Sequence, residues 1–310
     1  MFKKLSNQLI LTQLEIPPGR VNIVLDTDTY NEIDDQFALV YSLCSPERLN
    51  VEAIYAAPFS NKRAATPAEG MKKSYEEILR LLDSMGIKSE GMVYKGSDRY
   101  LENVATPVRS EAAFDLIEKA MASKELLYVV AIGAITNIAS AILLEPEIIN
   151  KIVVVWLGGN SLYWSHTAEF NLMQDVPAAQ VLFDCGVPLI QMPCMAVASH
   201  LTTTVHELDY YLNGKNVTST YLCKIFREYQ EHYQLLSKEI WDISAIATLI
   251  NPEWAPAEIV HSPVLTERLT WSVDPRRHFI KTVRSLNRDA IFKDMFHKIS
   301  CIKERDLCRK

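Results

Sequence analysis

The chain has 310 residues, with 32 Lys+Arg against 38 Asp+Glu for a formal net charge of -6, and it is 48% hydrophobic and 23% charged. This balance excludes bulk disorder, and the lack of a basic excess or stripe argues against nucleic acid as a partner, because polyanion binding runs on Lys and Arg. Only 10 residues are glycine, which argues against glycine-rich phosphate loops.

The chain opens MFKKLSNQLILTQ, where Ser6, Asn7, Gln8 and Thr12 interrupt the apolar stretch and no small-x-small cleavage pattern follows. We expect no signal peptide and no membrane span, since no apolar run approaches the roughly 18 residues a span needs. Next come Val21–Leu25, a strand, and Asp34–Cys44, a helix. A strand at Val51–Ala57 precedes a helix over Pro67–Met85, and Met92–Tyr94 precedes Ser110–Ala122. Leu126–Ala131, Ile152–Leu157 and Pro188–Met192 are further strands, with Thr136–Leu144 and Val176–Cys185 as the helices between them. The strands are rich in Val and Ile and apolar on both faces, as strands of a buried parallel sheet are. The alternation predicts an α/β fold, a mostly parallel central sheet flanked by helices. Gly86 and Gly186 fall where helix C-terminal caps are expected, and Asp175 followed by Val-Pro reads as an N-cap.

Beyond about residue 200 the alternation weakens. We predict a long amphipathic helix over Thr218–Lys238 and a short one from Asp242 to before Asn251-Pro252. A strand at His278–Val283 and a terminal helix at Arg288–Ile299 follow. No repeat or linker separates these pieces, so residues 1–310 read as a single domain with helical additions at its C-terminal end. The six cysteines, at 44, 185, 194, 223, 301 and 308, include no CxxC pair. Free thiols without a secretory signal fit a cytoplasmic, reducing location.

The richest segment is VNIVLDTDTYNEIDDQFA, residues 21–38. A strand ends in Asp26-Thr27-Asp28, and Asp34-Asp35 open the next helix. In open α/β sheets ligands bind beyond the carboxyl ends of the strands. Asp26, Asp28, Glu32, Asp34 and Asp35 fall within ten residues, and crowded carboxylates resist ionisation unless a cation joins them. All-oxygen donors suit Ca²⁺ or Mg²⁺ rather than zinc. The competing reading is structural: Asp34 and Asp35 favour a helix start by themselves.

From this segment alone, two enzyme families compete. LDTDT loosely resembles the Asp-x-Asp-x-Thr/Val of haloacid dehalogenase-type phosphohydrolases, which would make Asp26 a nucleophile. The segment also resembles nucleoside hydrolases, where Asp-x-Asp at a strand end is followed by Asp-Asp at a helix start. Downstream, Ala131-Ile-Gly-Ala-Ile-Thr136-Asn137-Ile-Ala139 is similar to that family's Gly-x-Leu-Thr-Asn-Ile-Ala, and Gly158-Gly159-Asn160 to its Gly-Gly strand end. Glu169-Phe170-Asn171 followed by Asp175 resembles its Glu-Phe-Asn…Asp stretch, and Trp241-Asp242-Ile-Ser-Ala-Ile-Ala its His-Asp-x-x-Ala-x-Ala. These motifs fall in order over residues 21–250, and the chain resembles the nucleoside N-ribohydrolases.

The resemblance implies hydrolysis of ribonucleosides to ribose and free base through a calcium-bound water. It implies Asp28, Asp35, Asp242 and the Thr136 carbonyl as metal ligands, with Asp28 also the general base and Asp26 supporting them. Asp34, Asn171 and Asp242 would hold the ribose hydroxyls and Glu169 the 5′ end, with Asn160 a further sugar contact. Trp241 stands where some members have a His that protonates the leaving base. An indole is no acid but stacks well on a purine, so a purine preference is expected, with core packing as the bland alternative. Other candidates near the base are Tyr229, His232 and Tyr233, which with Phe226 otherwise read as core or contact aromatics, and His166, which otherwise reads as exposed. The family's members are dimers or tetramers, so a homodimer or homotetramer is implied.

Departures from the family pattern are plain. Thr29–Ile33 is two residues longer than the usual turn and lacks its glycine, so Asn31 is expected to take the left-handed conformation and Glu32 to face solvent, with an approach to the ribose as its alternative. The family's Gly-Asn after the second strand is absent, with Ser60 or Asn61 as substitutes. Because the turn is altered, a ribose or nucleoside sensor that has lost turnover stands as the non-enzymatic alternative.

Overall fold

A computed structural model describes residues 2 and 4–302. Eight strands form the central sheet, in chain order β1 (Val21–Thr27), β2 (Leu49–Ala56), β3 (Val93–Lys95), β4 (Leu127–Ala131), β5 (Ile152–Leu157), β6 (Leu189–Met192), β9 (Ala257–His261) and β12 (Phe279–Val283). Two small pairs lie outside it: β7 (Thr202–Thr203) with β8 (Lys238–Glu239), and β10 (Val264–Leu265) with β11 (Trp271–Ser272). The sheet order is β3-β2-β1-β4-β5-β6-β12-β9. All neighbours are parallel except β9, which runs antiparallel to β12 at one edge.

The helices are α1 (Asn7–Gln13), α2 (Asp34–Leu43), α3 (Pro67–Ser84), α4 (Glu111–Ala122), α5 (Thr136–Leu144), α6 (Phe170–Gln174), α7 (Val176–Asp184), α8 (Val205–Tyr211), α9 (Val217–Tyr233), α10 (Ile243–Ile250) and α11 (Arg288–Ser300). They cover both faces of the sheet, and two apolar clusters result. One holds Ile23, Leu25, Phe37 and Phe226, the other Val24, Val129, Trp156 and Phe183. Alternate residues of one strand enter opposite clusters, as the two-residue period of a strand requires. The expected α/β fold with a mostly parallel sheet is therefore present, with α8 to α11 as C-terminal additions. No helix among the described residues is long and apolar enough to cross a membrane.

Several local expectations hold for identifiable reasons. Gly86 and Gly186 sit past helix ends with φ of 69° and 82°, a region that costs glycine little. Asp175 caps α7, accepting from the Ala178 N–H at 3.0 Å. Others are corrected. The helix expected to reach Lys238 stops at Tyr233, because Gln234 turns left-handed (φ 55°) and Lys238 joins β8. Helix α1 and strand β9 were not anticipated. Cys44 and Cys185 are free thiols at helix ends, together with Cys194, Cys223 and Cys301. Cys308 lies outside the described residues.

Strand order reverses at β1: β2 and β3 lie to one side, β4, β5 and β6 to the other. Crossover helices diverge there and leave a crevice at the strand ends. Beyond β4 the chain passes under Asp28 through Gly133, where a Cβ would stand 3.1 Å from the Asp28 Cγ and 3.2 Å from the Ala57 Cβ. Gly133→Ala therefore has to displace Asp28 or the strand end. Denaturant unfolding should show a loss of about 1–3 kcal/mol, the usual cost of overpacking.

Candidate metal and substrate site

The crevice opens into a cavity of about 790 Å³, a size suited to a small ligand. Acidic groups from three elements line it: Asp28 at the end of β1, Asp34 and Asp35 in the first turn of α2, and Asp242 at the start of α10. Each is 4% exposed or less. One carboxylate oxygen each from Asp34, Asp35 and Asp242 lies within 4.8 Å of the others. Neither α2 nor α10 has a side-chain cap at its N-terminus, so Asp242 spends its carboxylate on the cluster rather than on its own helix. The capping reading of Asp34 and Asp35 accounts for their place on the helix but not for their burial against Asp242.

Burial and mutual repulsion shape the charges here. Desolvation pushes the Asp28 carboxyl well above its ordinary range, and Asp35 and Asp34 push it further. Asp35 rises to about 7, by burial first and then the charge of Asp34, against the opposing hydrogen bond from Thr27. Asp242 is raised by burial and by Asp34, Asp35 and Asp28. Asp34 is raised by burial, but the Lys238 ammonium pulls the other way. Both oxygens of Asp28 are buried without a hydrogen-bond donor. Orphaned carboxylate oxygens beside three further carboxylates fit a hard divalent cation, which would supply the missing charge and satisfy the acceptors.

Asp26 stands apart. It is fully buried and off the cavity wall, with Oδ1 accepting from Asn137 Nδ2 at 2.7 Å and its carboxyl raised to about 7 by desolvation. Thr136 is also off the wall. Its hydroxyl donates to Asp175 Oδ2 at 2.7 Å, and as the first residue of α5 its carbonyl belongs to the helix ladder. The structure therefore does not bring Thr136 to the cavity wall with the acidic cluster. The residue that follows β4 and reaches the cavity is Ile132, whose carbonyl accepts from Asn171 Nδ2 at 3.1 Å.

The remaining expected residues converge on the same cavity. Asn171 donates from Nδ2 also to the Leu157 carbonyl at 3.0 Å, which fixes its side chain between two strand ends. Glu169 caps α6, accepting from Asn171 N at 2.9 Å, Leu172 N at 3.1 Å and Gly159 N at 2.8 Å. Those N–H groups offset part of the rise that burial imposes on its carboxyl. Asn160 lines the wall with its amide committed to the loop, donating to the His166 carbonyl at 3.1 Å and accepting from Met195 N at 3.2 Å. Trp241 lines the wall half-buried, and its backbone N–H donates to Asp34 Oδ2 at 3.1 Å. Tyr229, Tyr233 and His166 also line it, whereas His232 faces a neighbouring cleft and Phe226 is core, 6.4 Å edge-on from Phe37.

The long turn departs from expectation. Asn31 is not left-handed, since the only described non-glycine residues at positive φ are Ala196, Gln234 and Leu269. Instead its N–H closes a turn on the Asp28 carbonyl at 2.7 Å. Its side-chain oxygen accepts from Asn61 Nδ2 at 2.7 Å. Arg63 braces the lengthened turn by donating to the Tyr30 carbonyl at 3.1 Å and the Glu32 carbonyl at 2.8 Å. Glu32 does not simply face solvent. It lines the cavity, pairs with Lys238 at 2.8 Å and accepts from the Tyr229 hydroxyl at 3.0 Å. Asn61, rather than Ser60, reaches the wall. Arg63, Lys238 and Ile132 were not singled out from the sequence, because none carries a spacing signal.

Comparison with known proteins identifies the family. The profile described as "Inosine-uridine preferring nucleoside hydrolase" matches residues 23–293. The chain belongs to this family. It is 27% identical over 243 residues to "Probable uridine nucleosidase 2" of Arabidopsis thaliana, covering 71% of this chain and 73% of that one. It is 28% identical over 258 residues to "Pyrimidine-specific ribonucleoside hydrolase RihA" of Escherichia coli O9:H4 (strain HS), covering 74% and 80%. A solved "Purine-Preferring Ribonucleoside Hydrolase from Gardnerella vaginalis" superposes with a TM-score of 0.74 at 20% identity, covering 91% of this chain and 98% of that one.

Metal and protons compete for the raised carboxylates, and the sign follows directly. A carboxyl whose folded value is raised holds its proton in the folded state where the unfolded chain has lost it. Its burial therefore costs stability as pH rises from the unfolded value of 3.8 to the folded value of about 7. Metal-free protein should show a falling melting temperature over that window. Added Ca²⁺ should restore it, with a larger shift at pH 7.5 than at pH 5. A shift independent of pH would mean that the cation binds elsewhere.

Proposed function

We propose that this chain hydrolyses the N-glycosidic bond of ribonucleosides, releasing ribose and free base, with Ca²⁺ as its cofactor and Mg²⁺ as a poorer substitute. The observation that carries this reading is the buried set Asp28, Asp34, Asp35 and Asp242 on one cavity wall, with both Asp28 oxygens lacking donors. Asp28, Asp35 and Asp242 would hold the ion, with the Ile132 carbonyl taking the place foreseen for Thr136. Such an ion lowers the pKa of a water that contacts it.

The protein's own groups do the rest. Asp28, free of donors, accepts the proton of the attacking water. Asp34, Asn171 and Asp242 orient the ribose hydroxyls, and Glu169 addresses the 5′ end. Asn160 holds the loop that carries His166. The carboxylates around the ribose favour the positive charge of an oxocarbenium-like transition state. Asp26 serves as a support, held by Asn137. A nucleophilic Asp26, as a phosphohydrolase would need, is disfavoured by its position behind the wall.

For the base we infer a purine preference. The names of relatives point both ways, since the two curated ones act on uridine or pyrimidine nucleosides and the solved one prefers purines. The support is chemical: Trp241 offers an indole face, not an acid, beside Tyr229 and Tyr233. We further propose that the chain is one domain, since β12 from its C-terminal end inserts beside β6. A cytoplasmic location and self-association as a homodimer or homotetramer complete the reading.

One assay set tests it. The protein is incubated with inosine, uridine and a phosphomonoester, with Ca²⁺ or with chelator. Free base should appear only with the cation, inosine should turn over faster than uridine, and no phosphate should be released. Asp28→Asn should lower kcat by about 10²–10⁴-fold, the usual worth of a general base. Saturable nucleoside binding without turnover would establish a sensor instead.

A further inference from the structure

Glu32 and Lys238 have no role in the scheme above, and Tyr229 enters it only as a ring beside Trp241. Lys238 is only 4% exposed and sits behind the cavity wall rather than on it. Its ammonium contacts three wall residues. It pairs with Glu32 Oε2 at 2.8 Å, lies 5.7 Å from the centre of the Tyr229 ring and 5.9 Å from that of Trp241. The Tyr229 hydroxyl donates to the other oxygen, Glu32 Oε1. A buried ammonium needs a carboxylate partner, and Glu32 of the lengthened turn supplies the direct one, with Asp34 beyond it. Glu32 itself stays 38% exposed on its side chain and faces the cavity.

Each Glu32 oxygen thus has one bond to the protein and lone pairs left over. The rings beside it, Tyr229 and Trp241, are the flat surfaces on which a base stacks. An anionic acceptor held at the edge of a stacking platform meets the rim of the base rather than its face. We propose that Glu32 is a specificity-determining residue that accepts a hydrogen bond from an N–H on the rim of the base, with Lys238 and Tyr229 as the positioning residues that hold it. The proposal rests on nucleosides being the substrates. It selects bases with a ring N–H, such as hypoxanthine or uracil, over those without one.

The test compares paired nucleosides. Inosine is set against purine riboside, which lacks the N1–H, and uridine against 3-methyluridine, which lacks the N3–H. Wild-type protein should favour the donor-bearing member of each pair in kcat/KM. In Glu32→Ala that ratio should fall about tenfold or more, the worth of a hydrogen bond to a charged group. Glu32→Gln keeps the size and a weaker acceptor, and should fall several-fold; it carries the test if the alanine variant does not fold. Lys238→Met also removes the ammonium that faces Asp34, so it should slow every nucleoside and in addition lower the same ratio, by raising the KM for inosine more than that for purine riboside. Ratios unchanged in folded Glu32 variants that still release base would overturn the proposal. Wild-type protein that releases base from no nucleoside would instead overturn the substrate reading on which it rests.

Discussion

Everything at this site follows from one electrostatic constraint: four carboxylates buried together cannot all be charged without a counter-ion. Asp28, Asp34, Asp35 and Asp242 repel one another at the end of β1, and desolvation adds to the repulsion. The surroundings relieve some of the strain. Thr27 donates to Asp35, the N–H of Trp241 donates to Asp34, and the starts of α2 and α10 bring their positive ends toward the cluster. None of these donors reaches Asp28. The arrangement is poised for a cation, and the rest of the fold serves to hold it so.

The same constraint explains how much was legible in the sequence. Runs such as Ile152–Leu157 can only be buried strands, so the sheet could be read directly. The Asp26 to Asp35 segment alone left two families open, and Glu169-Phe170-Asn171 and Asp242, following in a recognisable order, decided between them by resemblance. Contributions made by backbone atoms were not legible in that way. Ile132 reaches the cavity wall and Thr136 does not, and a backbone contribution from that turn could come from a residue with any side chain. The end of α9 was missed for a related reason, since Gln234 adopts a conformation that its identity does not advertise.

Long-range pairing was the other blind spot. Glu32 and Lys238 are 206 positions apart in the numbering and meet only because α9 ends early and the chain returns through β8. From the sequence, Lys238 looked like the last turn of an amphipathic helix and Glu32 like a surface residue of a loose turn. In the fold Glu32 is part of the wall and Lys238 is buried behind it. Arg63 is similar: a lone arginine in a loop gives no hint that its guanidinium gathers the carbonyls of Tyr30 and Glu32. The longer turn is therefore a braced element rather than a slack one.

The hydrogen bond between the Trp241 N–H and Asp34 joins residues 207 positions apart, and it bears on how the protein comes into being. Helix α2 leaves the ribosome early, whereas α10 and the sheet strand β12 emerge among the last third of the chain. A carboxylate cluster assembled across that span has high contact order and forms late. Until then Asp28, Asp34 and Asp35 are ordinary solvated acids on a growing chain. A chain that stops before residue 242 would lack one of the four carboxylates, however well its first six strands had paired.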